Sequence, residues 1–418
     1  YTFVSAYGEE GPPSPASTVI TTDDNMTVAL SALETSTSIT NTNLSKKRIY
    51  RSNTGSNSTQ FQFVTELALS ATTYTDTSKN SELAEVLPSS TWIAPPDDSA
   101  LYPDGPMKGL LALGNGTFAG FTGNRICFSE AYQPHAWPAA YRLGIEEKIV
   151  GIKATSNGLI VGTESTPYLV TGSDPSAMIA IKIETAEACL SKRSMVDMGE
   201  TVIYAGPDGL IAASGAQASN ITEGLITPEQ WQSDYYPSTI TGFYWQGRYV
   251  GFYNTGSGFG GFIFDPRQGT NALVNLDAAA LIRGGFTDPD DNELYLIIGN
   301  KIKKFQGSST NLTYNWKSKE FPMARHTSMG FAKVDAEAYP VTLKVYGDGS
   351  VIYNATISTS GSVFSVTGTT PSFSATSITE PVVRLPASVH KTFAFEVETA
   401  KVVNEVCLGE SIVELKEV

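Results

Sequence analysis

The stretch Val150–Gly172, VGIKATSNGLIVGTESTPYLVTG, decides how this chain is read. VGIKAT and GLIVGT are apolar runs of strand length, joined at Asn157-Gly158. Asn-Gly is among the strongest short hairpin signals, because both central positions of the tightest turns favour positive φ. A third apolar run, PYLVTG, follows a few residues later.

The same unit recurs on both sides. LLALGNGTFAGF turns at Asn115-Gly116, TVIYAGPDGLIAAS at Asp208-Gly209, and TGFYWQGRYVGFY at Gln246-Gly247. GGFTDPDDNELYLIIGNKIKKF turns near Asp291-Asn292 and again at Gly299-Asn300. The period, about 40–50 residues, is that of propeller blades. A single small sheet cannot bury both faces, whereas blades packed around an axis can. The sequence therefore predicts an all-β chain whose centre, residues 96–312, is a β-propeller; a pair of β-sandwiches is the competing architecture.

The flanks have other rhythms. Residues 1–95 are rich in Thr and Ser and carry short strands at MTVALSAL (26–33), KKRIYRS (46–52), FQFVTEL (61–67) and TTYTDT (72–77). They read as a small sandwich of fibronectin type III or immunoglobulin kind. The Pro-rich segment 88–106 reads as an extended connector. Residues 313–418 read as a C-terminal sandwich or jelly roll, with a plain hairpin at Gly347-Asp348-Gly349. Helical periodicity is weak throughout; DAAALI and TPEQWQSDY are each expected to make one turn. The opening YTFVSAYGEEGPP reads as the end of a hairpin whose beginning lies upstream, and it lacks the charged start and apolar run of a secretory signal.

Composition narrows the function. The 418 residues carry a net charge of −14. Gripping the outside of nucleic acid calls for a basic surface, so DNA binding of that kind is disfavoured. An acidic wall would suit a passage from which DNA must not stick; ordinary solubility explains the charge as well. The three cysteines, Cys127, Cys189 and Cys407, are odd in number and far apart, and read as structural thiols. No run of twenty apolar residues is present.

Catalytic and cofactor motifs are missing. Three histidines, His135, His326 and His390, are scattered, with no HxH or HExxH. There is no GxSxG elbow, Walker loop or dinucleotide fingerprint. The acids of DPDDNE (288–293) lack the alternation of a calcium loop and read as a solvated turn. A glycosidase would need two facing carboxylates, and no spacing selects a pair among the 42 acids. The tryptophans, Trp92, Trp137, Trp231, Trp245 and Trp316, are available to stack sugars, though core packing is the commoner fate. Catalytic residues, metal sites and cofactors are all expected to be none.

One set of motifs carries a resemblance. The N-terminal sequence through SELAEVLPSSTWIAPP resembles a fibronectin-like module of bacteriophage virion proteins. GLLALGNGTFAGFTGNRICFSEAYQPHAWP (109–138) looks like the first complete blade after that module. NWKSKEF, VYGDGSVIY, VVRLP and VCLGESIVEL look like the closing domain of the same proteins. The ordered set is similar to the nozzle or tail-tube proteins of short-tailed phages. That resemblance implies a non-enzymatic component of the virion tail, assembled in the host cytoplasm. It implies a homo-oligomeric ring, usually six copies, below portal and adaptor, contacting fibre proteins and open to contact with the host envelope. Duplex DNA would pass through the lumen without sequence-specific binding. The alternatives are a receptor- or glycan-binding spike and, third, a polysaccharide hydrolase. A gate across the lumen would be a projecting loop; NTGSGFGG (254–261), with Asn254, Gly256, Gly258 and Gly260, is the candidate.

Overall fold

The computed structural model describes residues 1–20, 27–36, 42–54, 59–97, 105–269, 272–358 and 382–416. The run VFSVTGTTPSFSATSI, read from sequence as part of the C-terminal domain, lies outside the described residues, as do parts of the loops at 53–60 and 88–106. The chain is all-β, with one α-helix among the described residues. It divides into two compact units, Tyr1–Phe305 and Gln306–Val418.

The first unit opens with two small sheets. β1 (Thr2–Ser5), β3 (Leu44–Thr54) and β4 (Thr59–Ala68) form one; β2 (Val28–Leu30) and β5 (Tyr74–Asp76) form the other. Buried polar groups tie them together. The fully buried Lys47 donates to the carbonyls of Glu34 and Ala71. Arg51 on β3 meets Asp76 on β5 at 2.7 Å. Glu10 accepts from Thr2, Arg48 and Tyr50, so the carboxylate is buried with its partners in place.

Five antiparallel meanders follow. Sheet one holds β6 (Lys108–Ala112), β7 (Phe118–Thr122), β8 (Arg125–Phe128) and β9 (Arg142–Gly144). Sheet two holds β10 (Ile149–Thr155), β11 (Gly158–Thr163), β12 (Tyr168–Thr171) and β13 (Ile179–Lys182). Sheet three holds β14 (Val196–Asp197), β15 (Val202–Ala205), β16 (Leu210–Ser214) and β17 (Gln217–Asn220). The helix α1 (Pro228–Tyr235) then leads to sheet four: β18 (Thr241–Trp245), β19 (Arg248–Asn254), β20 (Phe259–Phe264) and β21 (Leu273–Ala278). Sheet five has three strands, β22 (Ile282–Thr287), β23 (Leu294–Ile298) and β24 (Lys301–Lys304).

The sheets pack face against face in chain order, which is why their strands are apolar at consecutive positions. Leu159 and Val161 of β11 face sheet one, in a core with Phe121 and Ile126. Ile160, between them, points the other way, into a core with Tyr204 and Ile211 of sheet three. Sheets three and four close over Ile203, Leu210, Tyr249 and Phe262; sheets four and five over Phe243, Trp245, Leu294 and Leu296. The first strands run side by side: β10 touches β6 and β14, β14 touches β18, and β18 touches β22. Close approach demands glycine in the middle of sheet four. A Cβ on Gly251 would sit 2.5 Å from the Phe262 ring. Gly251→Val is expected to destabilise the first unit by about 1–3 kcal/mol through overpacking, read from its denaturant midpoint.

The turns differ in detail from the sequence expectation. At Gln246-Gly247 both central residues have positive φ, +49° and +79°. At Asn157-Gly158 only the glycine does, at +137°. The segment TPEQWQSDY forms a full eight-residue helix, not a single turn. Thr227 and Gln230 make a capping box and Pro228 holds the first turn. The helix buries one stripe, Trp231 and Tyr235, against sheets three and four. Thr227→Ala is expected to lower stability by about 1 kcal/mol, measured by thermal unfolding. DAAALI is strand end and bend rather than a turn of helix.

In the second unit, β25 (Tyr314–Lys317), β26 (Phe321–Thr327), β28 (Val341–Gly347), β29 (Ser350–Ile357) and β31 (His390–Thr399) form one sheet. β27 (Phe331–Ala336), β30 (Val382–Arg384) and β32 (Val403–Gly409) form the other. β28 alternates strictly, with Val341, Leu343 and Val345 inward. Their core includes Val334 of the other sheet together with Phe393 and Val397.

Candidate functional site

The hairpin predicted as a gate is short and internally bonded. Only Thr255–Gly258 lie between β19 and β20. Thr255 N–H donates to the Gly258 carbonyl at 3.0 Å, and Gly258 N–H to the Thr255 hydroxyl at 2.9 Å. Gly256 N–H donates to the Asn254 side-chain oxygen at 2.8 Å. Asn254 is tied further back through Thr239, whose hydroxyl accepts from Asn254 N–H at 3.0 Å. Gly260 lies within β20, where a Cβ would strike the Tyr253 ring. Asn254 and Gly260 also border a cleft of about 20 Å³ between sheets four and five, room for a water rather than a substrate.

The other sequence candidates are absorbed by structure. In DPDDNE, Asp288 accepts from Asp290 N–H, and Asp291 from Glu293 N–H and the Tyr295 hydroxyl. Lys304 sits 3.3 Å from Glu293. Among the described residues, no group of three or more His, Cys, Asp and Glu is arranged to hold a metal. His135 bonds the Glu10 carbonyl at 2.8 Å and packs edge-on to Trp92. His390 meets Asp348 at 3.1 Å in the closing turn of β28–β29. Cys127 and Cys189 are buried, and burial pushes the Cys189 thiol up to about 12. Trp137, Trp231 and Trp245 are core residues, whereas Trp316 is 51% exposed.

A second concavity was not singled out by any motif. It is an open groove of about 390 Å³ beside α1, bordered by Asp208, Asn220, Glu223, Thr227 and Gln230. Asp208 comes from the β15–β16 turn and Glu223 from the segment after β17. Glu187, from the segment before β14, is close enough to feel both charges. Burial pushes its carboxyl above the ordinary value, and Asp208 and Glu223 push it the same way. The donors of the helix start are committed elsewhere: Gln230 N–H goes to the Thr227 hydroxyl and Thr227 N–H to the Gln230 side chain. The groove therefore presents the carboxylates of Asp208 and Glu223, while the Asn220 and Gln230 side chains are bonded within the protein.

No protein-family model matches the chain, and no curated protein matches it. Among solved structures, it is similar to PorZ, a surface component of the type-IX secretion system of Porphyromonas gingivalis. The TM-score is 0.33 at 11% identity, over 51% of this chain and 28% of that one. The chain thus spans under a third of the PorZ chain. It is also similar to the N-terminal domain of Nup159, with TM-score 0.24, 9% identity and coverage of 71% and 77%. A eukaryotic initiation factor gives TM-score 0.26, 10% identity and coverage of 75% and 74%. None of the three reaches a TM-score from which a shared fold follows.

Proposed function

We propose that this chain is a structural, non-enzymatic component of a bacteriophage tail, a nozzle or hub whose copies form a ring around a DNA channel. In this reading the five meanders are blades of a β-propeller core. A fibronectin-like module precedes them and a sandwich closes the chain. The observation that carries the reading is the order of parts: two small sheets, then five face-packed meanders with adjacent first strands, then a second two-sheet unit. That order follows the motifs on which the resemblance rests. A conduit needs rigid sheets and a wall that DNA does not bind, and a net charge of −14 is compatible with that. Ring contacts would be heterologous, one face of each copy meeting a different face of the next. Partners above and below, at the adaptor and the fibres, belong to the same proposal. Native mass spectrometry of the purified protein tests the ring: a closed multiple, six copies expected, supports it, and a monomer at all concentrations overturns it.

The groove of Asp208 and Glu223 with Glu187 gives a hydrolase reading its one specific support. Glu187→Gln separates the two. A structural role predicts unchanged assembly and no hydrolysis of cell-surface polysaccharide by either protein. Hydrolysis by the wild type that the substitution abolishes would replace the structural reading.

A further inference from the structure

Sheet five is unfinished. Sheets one to four each have four strands, whereas sheet five stops at β24 among the described residues. Among the described residues β24 pairs only with β23, and all four of its residues are exposed. Its outer edge therefore presents unpaired backbone groups in the place where each earlier meander has a fourth strand. The sheet face turned away from sheet four is apolar as well. Phe286 and Tyr295 stack on it at 5.5 Å, and Ile297 pairs with Ile302. Phe286 is 46% and Ile302 63% exposed. A terminal unit of a stack normally ends in a polar face; this one does not.

The same chain carries an extended segment with no sheet to join. Residues 15–20, PASTVI, make no backbone–backbone hydrogen bond to any described residue, the Thr18 carbonyl accepting only from the Ser17 hydroxyl at 3.3 Å. Val19 is 91% and Ile20 66% exposed, two β-branched residues suited to a strand. Pro12, Pro13 and Pro15 stiffen the approach, so less entropy is lost when the segment is ordered.

We infer that the segment Ser17–Ile20 of one copy adds to β24 of a neighbouring copy as the fourth strand of sheet five. Donor and acceptor are different surfaces, so the contact is heterologous, as a ring requires. Main-chain hydrogen bonds would supply affinity, and Ile302, on the face it shares with Ile297, would receive one β-branched side chain. Lys301, Lys303 and Lys304 discourage indiscriminate edge pairing. They also make β24 a basic strand in a chain of net charge −14, and so complementary to another copy of that chain. The inference names the surface the proposed ring would use and rests on that reading.

The test is sedimentation velocity across a concentration series on the full chain, on Ile302→Asp, and on the double substitution Val19→Asp with Ile20→Asp. All three side chains are exposed, so unchanged melting curves are expected. Wild type should associate, and each variant alone should associate more than about tenfold more weakly, since each lacks one half of the contact. An equimolar mixture of the two variants has one intact acceptor and one intact donor, and should give dimers that grow no further. Variants that associate like wild type, or a mixture that stays monomeric, overturn the inference. A ring that survives both substitutions leaves the tail reading standing and removes strand donation. Dimers in the mixture, with wild type forming open chains instead of closed rings, keep strand donation and remove the ring.

Discussion

Trp231→Ala is expected to cost the first unit about 3–5 kcal/mol, the range for truncating a large aromatic in a packed core. Trp231 is fully buried and is the hub of the contact between α1 and sheets three and four. Its ring stacks on Tyr235 at 5.3 Å and meets Phe262 edge-on at 6.0 Å. Its Nε1–H donates to the Gly206 carbonyl at 2.9 Å. Truncation therefore opens a cavity and leaves a buried carbonyl without that donor, and the two costs add. The helix's other buried anchor, Tyr235, stacks on the Trp231 ring and loses that contact, so its two turns should fray as well. Equilibrium urea unfolding followed by circular dichroism measures the loss. Trp231→Phe restores volume but not the donor, and should recover more than half of it. A loss below about 1 kcal/mol for the alanine variant would mean that the site collapses freely, against the packing described.

The second unit should answer most strongly to Glu396. This carboxylate lies on β31 with its side chain 10% exposed. It accepts from Lys344 at 2.7 Å, Tyr346 at 2.5 Å and Asn315 at 2.8 Å, one partner from β25 and two from β28. These donors hold its carboxyl down to about 2, against an ordinary value of 4.5. Glu396→Ala strands all three and is expected to cost about 3 kcal/mol at neutral pH. The sign of the pH dependence follows from the depressed value. The stabilisation is fully present above about pH 4.5 and is lost as pH falls through about 2, where the folded-state carboxyl takes up its proton. Solvent at the sheet surface screens part of it, so about 2 kcal/mol is expected across that window. Glu396→Gln, which cannot titrate, should lose that acid limb while other carboxylates keep theirs. Trp316 on the adjacent β25 gives a fluorescence reading of this unit. Identical acid profiles for wild type and Glu396→Gln would contradict the assignment.

How much of this was legible in the sequence depended on whether the determining contacts were local. Hairpins at Asn157-Gly158 and Gln246-Gly247 are local, and their strands fall where turn residues and apolar runs place them. The consecutive apolar residues Leu159-Ile160-Val161 are divided between two cores, a division set by the sheets packed on either side. The helix at 228–235 carried its signal in Thr227, Pro228 and Gln230. Only Trp231 and Tyr235 are apolar at helical spacing, too few for periodicity to register. The groove was illegible for a different reason. Glu187, Asp208 and Glu223 are brought near one another by the stacking of a whole sheet, so no fixed spacing announces them. The loop at 254–261 looked flexible from its glycines, but two of its features are set by neighbours: Gly260 by the Tyr253 ring, and Asn254 by Thr239. The unfinished edge of sheet five depends on counting strands in every other sheet, which composition cannot do.

The central claim, a structural ring around a DNA channel, is tested most directly by cryo-electron microscopy of the purified protein and of the particles that carry it. The account predicts coaxial copies closing a ring, with a lumen of about 20 Å or more, wide enough for duplex DNA by its groove dimensions. Each copy should show five stacked sheets, with sheet five against its neighbour. Single copies or trimers hanging from the periphery of the particle, with no lumen, would contradict it.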